Sequence, residues 1–241
     1  MRFETTSWSQ IDAAGDVNHP EHAAAVEYLI RKYWKPVFYF VRARRHSVEE
    51  AEDLVQEFFF RICDRHWLRC ADPERGRFRT FLLTLLTRFL ADRTGRRARR
   101  QVQFECAAIV VSQLLKDEDR NFEPTDSRSA ESIFLEKWAV SLLERACHDI
   151  HEECLRLGRA KWYEAFEACI LRESAGRLTQ VELARHYGMT RDQLRYALGR
   201  MQAQLKSRIR EELRLDGCPL EDLDREQSDI LRILSPTAES P

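Results

Sequence analysis

Between Arg75 and Arg100 the sequence sets nine arginines against a single acid, Asp92. Arg93, Arg96, Arg97 and Arg100 recur at helical spacing, which puts them on one side of a helix. Arg75, Arg77 and Arg79 converge on that helix from the preceding loop, interleaved with Trp67 and Phe78. Guanidinium groups track phosphates and aromatic rings stack on unpaired bases, so the pattern suits a nucleic-acid strand. The two rings would fit a protein core equally well.

A second group lies in "LTQVELARHYGMTRDQLRYALGRM", from Leu178 to Met201. Thr179 with Glu182, and Thr190 with Gln193, have the spacing of two capping boxes. Leu178 with Leu183 and Met189 with Leu194 would staple the two helix entries. Gly188 stands where a helix must end in a left-handed turn. Two short helices joined through "YGMT" form the local pattern of a helix-turn-helix. With Met189, Leu194, Ala197 and Leu198 turned inward, the second helix exposes Arg191, Gln193, Arg195, Tyr196 and Arg200. Arg and Gln are the side chains that read base edges in a major groove. A plain pair of core helices is the competing explanation.

The third group is "CHDIHEEC", with Cys147, His151 and Cys154 on one helix face. Three such ligands can meet a zinc ion, but no fourth is evident and Cys147 continues an apolar stripe. Buried thiols on a core face are far commoner, so no metal is expected. A helical adaptor or metal-dependent enzyme built around His148, His151 and Cys154 is the alternative. There is no phosphate-binding glycine loop, no nucleophile elbow and no convincing acid/base pair. The expectation is a protein without an active site or cofactor.

The elements that must position these groups are helical. Only 8 Gly and 7 Pro punctuate 241 residues, and long stretches lack both. Residues before about His19 read as a loose leader. Pro20 to Arg45 reads as helix with an aromatic face of Tyr33, Trp34, Phe38 and Phe40, and Pro36 predicts a kink or a break. "HSVEEAEDLVQEFFFRIC" opens with a capping box of Ser47 and Glu50. It buries Leu54, Phe58 and Ile62, leaving Asp53, Gln56, Glu57 and Arg61 for the other side. After a turn-rich loop, "TFLLTLLTRFLADRTGRRARR" begins apolar and ends cationic. Periodicity fades between Gln101 and Ala130, where a polar, acidic linker is expected. A long helix follows, with Phe134, Trp138, Leu142, Ala146 and Ile150 on its stripe.

The formal net charge is only −1, but the average hides segregation, because eight acids between Glu211 and Asp229 face two arginines. That acidic end reads as a solvated tail; a cover for a basic face is the other reading. The 7 Cys are odd in number, scattered and without a C-x-x-C pair, which points to free thiols in a reducing, cytoplasmic setting. The first residues show no signal-peptide pattern, and no apolar run approaches the roughly 20 residues of a membrane-spanning helix.

Taken in order, these parts resemble bacterial RNA polymerase sigma factors of the extracytoplasmic-function type. The resemblance runs from about Pro20 to Arg100 and again from about Ile133 to Leu213. "AEDLVQEFFFRI" is similar to the region-two helix that docks on the polymerase clamp, which implies polymerase contacts at Asp53, Gln56 and Glu57. "GRFRTFLLTLLTRFLADRTGRRARR" resembles the next helix, which holds and helps open the minus-ten element. Carried over, that element would meet Trp67, Arg75, Arg77, Phe78, Arg79, Arg88, Arg93, Arg96, Arg97 and Arg100. The family's "ARN" run reads Leu86-Thr87-Arg88 here. The Leu178–Met201 segment looks like the region-four helix-turn-helix, implying minus-thirty-five contacts at Thr190, Arg191, Gln193, Arg195, Tyr196 and Arg200. "ADPERGRFRTFLL" and "FLEKWAVSLLERA" are similar to a subgroup common in planctomycetes.

The resemblance implies an all-α protein of two helical domains, with a leader (1–19), a region-two domain (20–101), a linker (102–130), a region-four domain (131–215) and an acidic tail (216–241). It implies core RNA polymerase, through its clamp and flap, and promoter DNA as partners, with an anti-sigma protein as a further one. The competing function is a helix-turn-helix regulator that never engages polymerase.

Overall fold

The structure, a computed structural model, describes residues 8–64, 67–95, 121–124, 128–171 and 179–232. Among these residues there are helices, turns and loops but no strand, as the all-α expectation requires. The chain forms two compact units: residues 1–141 with 215–218, and residues 142–214 with 219–241. Most of the expected linker, residues 102–120 and 125–127, lies outside the described residues.

In the first unit, α1 (Trp8–Gly15) buries Ile11, Ala13 and Ala14 and packs against α2 (His22–Ala43). The leader is therefore not loose over this stretch. Gly15 lets it approach closely, because a Cβ there would stand 3.3 Å from the Leu68 Cβ. Helix α2 runs unbroken through Pro36. The apolar faces on both sides of the proline (Leu29, Ile30, Tyr33 and Val37, Phe38, Phe40) are buried, and that packing outweighs the lost backbone hydrogen bond. Of the kink or break expected at Pro36, the break does not occur.

Helix α3 (Val48–Asp64) starts at its predicted capping box, with Ser47 Oγ accepting from the Glu50 N–H at 3.1 Å and Glu50 accepting from the Ser47 N–H at 3.0 Å. Ala51, Leu54, Val55, Phe58, Phe59 and Ile62 point inward. Two 3-10 turns, Trp67–Cys70 and Pro73–Arg75, lead into α4 (Phe78–Gly95). Phe78, Leu82, Leu86 and Phe89 form the buried face of α4, and Phe89 meets Phe58 with ring centroids 5.5 Å apart.

Helix α5 (Ala130–Arg156) buries the whole predicted stripe of Phe134, Trp138, Leu142, Ala146 and Ile150. Its residues up to Ser141 belong to the first unit and the rest to the second. In the second unit α6 (Ala160–Phe166) buries Tyr163, Ala165 and Phe166 and runs on into a π turn. Helices α7 (Gln180–His186) and α8 (Arg191–Leu215) follow. Arg208 of α8 ties to α5 through Glu153 at 2.8 Å and Asp149 at 3.5 Å, while Gln204 donates to Glu153 at 3.1 Å.

The acidic end is not simply a solvated tail. Leu223–Arg232 forms α9, which buries Leu223 and Ile230 and pairs Asp224 with Arg210. Asp216 is buried as well. A run rich in charge still folds where a few apolar residues recur at helical spacing.

Candidate nucleic-acid interface

In the first unit, the loop before α4 and the outer face of α4 form one cleft of about 350 Å³, lined among others by Arg75, Arg77, Thr80, Phe81, Thr84 and Arg88. Asp72 shapes it by capping the Pro73–Arg75 turn, its carboxylate accepting from the Glu74 N–H at 2.9 Å. Gly76, at φ +120°, then turns the chain into α4 in a conformation that side-chain-bearing residues rarely adopt. Arg75 is exposed and paired with Asp72 at 3.1 Å. Arg88 is exposed, with no acidic partner among the described residues. Trp67 is half-buried at the start of its 3-10 turn.

Two expected members of this face are core residues instead. Phe78 is 1% exposed, held edge-on by Trp8 and Tyr33 with centroids 6.2 and 5.4 Å away. Arg79 is 5% exposed, ion-paired with Asp216, and its guanidinium lies 4.1 Å above the Trp138 ring. Alternation along the loop sends 75 and 77 outward, and the helix that begins at 78 turns the next two side chains in. Of the cationic helix end, the Arg93 side chain and Arg96, Arg97 and Arg100 lie outside the described residues.

The face of α3 opposite its core carries Asp53, exposed, with Gln56 and Glu57 half-buried. Glu57 is ion-paired with Arg61, whose guanidinium lies 5.2 Å from the Phe89 ring centroid. Asp53 is thus the most available of the three.

The second unit contains the two helices expected to form a helix-turn-helix. Thr179 caps α7 with a complete capping box to Glu182, whose carboxyl the Thr179 hydrogen bonds hold below its ordinary range. Helix α7 ends at Gly188, φ +64°, with the Met189 N–H reaching the Ala184 carbonyl at 2.8 Å. Thr190 then opens α8: its Oγ1 accepts from the Gln193 N–H at 3.1 Å while Gln193 Oε1 accepts from the Thr190 N–H at 2.8 Å. The carbonyl end of Gln193 is therefore engaged in capping. Leu178, proposed to staple α7, lies outside the described residues.

On α8, Leu194, Ala197, Leu198 and Met201 are buried and Arg191, Gln193, Arg195, Tyr196 and Arg200 are exposed. Arg195 is ion-paired with Asp192, whereas Arg191 and Arg200 have no acidic partner among the described residues. Beside this turn lies an open groove of about 480 Å³ that the sequence reasoning missed. Arg159 stacks on Trp162 at 4.7 Å, and Lys161 brings its Nζ to 4.0 Å from where a Gly188 Cβ would be. Neither cation has an acidic partner among the described residues. The signal was present as "GRAKW", a cation-aromatic cluster just after Gly158, whose φ is +67°.

The cysteine and histidine group is arranged for packing. His151 stacks on Tyr163 with ring centroids 4.4 Å apart, and Cys154 Sγ lies 3.5 Å from Met201 Sδ. Burial, aided by Glu167 and Glu144, pushes the Cys147 thiol up to about 11. A thiolate, the form that ligates metal, is disfavoured there. Among the described residues no group of three or more His, Cys, Asp or Glu is placed to hold a metal ion.

Both units thus present exposed cations on helical faces shaped by capped turns. Residues 29–100 match the family model described as sigma-70 region 2, a span covering α3, both 3-10 turns, α4 and most of α2. No curated protein and no solved structure matches the chain. Among the described residues no helix is long and apolar enough to cross a membrane.

Proposed function

We propose that this protein is a sigma factor: it binds core RNA polymerase, directs it to a class of promoters and helps open the DNA, while the polymerase does the chemistry. The match of residues 29–100 to sigma-70 region 2 carries this reading. The order of parts supports the extracytoplasmic-function type, with the planctomycete-like subgroup as the finer assignment and the cytoplasm as its compartment.

In this reading α3 docks on the clamp through Asp53, Gln56 and Glu57. The cleft of Arg75, Arg77 and Arg88, with Trp67 and the arginines at 93, 96, 97 and 100, meets the minus-ten element. The first turns of α8, with Thr190, Arg191, Gln193, Arg195, Tyr196 and Arg200, read the minus-thirty-five element. Phosphate contacts supply salt-sensitive affinity, and base-edge contacts supply sequence choice. Two weak contacts on one chain gain because the second becomes intramolecular.

Co-purification with core polymerase followed by run-off transcription on genomic fragments tests the reading. Stable binding with initiation at discrete sites is expected. Tight DNA binding without polymerase would favour a separate helix-turn-helix regulator.

A further inference from the structure

Asp216 lies in a run that reads as acidic tail, yet its side chain is 0% exposed and it belongs to the same compact unit as α4. The first two residues of α4 are Phe78 and Arg79, whose backbone N–H groups have no partner within the helix. Asp216 takes both. Its carbonyl accepts from the Phe78 N–H at 2.9 Å, and its Oδ1 accepts from the Arg79 N–H at 3.1 Å. Its Oδ2 ion-pairs with the Arg79 guanidinium, and the Tyr33 hydroxyl stands 3.5 Å from Oδ1. Lys32, itself buried, adds a second cation to the field at this carboxylate.

The neighbouring backbone is equally close. Gly217 adopts φ +83°, and a Cβ there would come within 3.0 Å of the Gly76 carbonyl oxygen. Gly76 is the turn between Arg75 and Arg77 and lines their cleft. A segment distant in sequence thus supplies both the N-terminal cap of α4 and the wall behind its entry loop. An anionic cap also complements the positive end of the helix dipole.

We propose that Asp216 is a positioning residue for promoter opening: by capping α4 and gripping Arg79 it fixes the Gly76 turn, so that Arg75 and Arg77 are held in place before DNA arrives. This rests on the reading of that cleft as the minus-ten contact. A loop ordered in advance spends less of its binding energy on ordering, and a misplaced one loses it.

The test uses full-length Asp216→Asn and Gly217→Ala, each assembled with core polymerase on a promoter that the wild type opens. Asp216→Asn removes the charge opposite Arg79, whereas Gly217→Ala leaves the ion pair and presses on Gly76. If the first fails to fold, the second carries the test. Expected are about tenfold lower permanganate reactivity at the minus-ten region and faster hydrogen exchange at the Phe78 and Arg79 amides. Affinity for core polymerase and exchange within α3 should stay within about twofold of wild type, which a general structural loss would not allow. Wild-type opening in a folded variant whose Phe78 and Arg79 amides exchange faster overturns the proposal alone. If polymerase carrying the wild-type protein opens none of the genomic fragments from which that promoter is chosen, the minus-ten reading is overturned and the proposal with it.

Discussion

The Trp162 indole meets the Tyr196 ring edge to face, with centroids 5.7 Å apart and planes at 85°. Tyr196 is 63% exposed on α8, and Trp162 lies on α6 beneath the stacked Arg159 guanidinium. The contact links the groove of Arg159 and Lys161 to the face expected to read bases. Replacing both cations with Ala should weaken binding to any duplex without changing sequence preference. The slope of log affinity against log salt should become shallower by about 2, one phosphate for each cation. Fluorescence anisotropy of the full chain at several salt concentrations checks this; an unchanged slope would place the groove outside the DNA footprint.

Phe78 and Arg75 should separate cleanly. Phe78→Ala empties a site packed by Trp8 and Tyr33 and should cost about 3–5 kcal/mol in urea unfolding. Arg75→Ala, at an exposed side chain, should leave the unfolding midpoint nearly unchanged and lower single-strand binding. A loss of stability in Arg75→Ala comparable to that in Phe78→Ala would count against this division of roles.

The two capping threonines should behave alike in stability. Thr179→Ala and Thr190→Ala each remove a side-chain acceptor from a helix start and should cost about 1 kcal/mol. Chemical denaturation followed by circular dichroism measures both. Thr190→Ala should also lower promoter affinity, because the Gln193 N–H loses the hydroxyl acceptor that fixes the first turn of α8.

Asp53→Ala combined with Gln56→Ala should weaken polymerase binding while the helical spectrum is retained, since neither side chain is buried. Calorimetric titration against core polymerase is the direct measurement. Unchanged affinity would remove α3 from the docking surface.

Burial raises the Asp216 carboxyl from 3.8 to about 6, against the opposing pull of Arg79 and Lys32 and of the hydrogen bonds from Arg79. The folded state therefore holds this proton over a range where the unfolded state has released it. Stability from this group is fully present below 3.8, falls as pH rises to about 6, and is flat above. The difference in unfolding free energy between wild type and Asp216→Asn should follow that curve. A difference that rises with pH over the same window would reverse the assignment.

Much of the fold could be read along the chain because its signals are local. The three capping boxes involve residues three apart, and the stripes of α3 and α5 follow the helical period, so both appear without knowledge of any partner. Gly188 is legible for the same reason: a helix that must stop there needs a left-handed residue. Pro36 does not break α2, because the cost of a proline is local, while the packing of Tyr33, Val37 and Phe38 that overcomes it is not. The leader misled for the same reason, since α1 is short and is stabilised by what it packs on.

The sequence by itself nominated residues for nucleic-acid contact, among them Arg75, Arg77, Phe78, Arg79, Arg88, Arg191, Arg195 and Arg200, through their types and spacing and the cap that opens α8. Only the tertiary structure decided which of them reach the surface. It turned Phe78 and Arg79 into the core, paired Arg195 with Asp192, and brought Asp216 from an apparent tail to the start of α4. Burial and charge pairing depend on segments far apart in the chain, such as residues 79 and 216 here. A charge run read locally predicts solvent, and only the packed chain reveals which of its members has found an opposite charge to bury against.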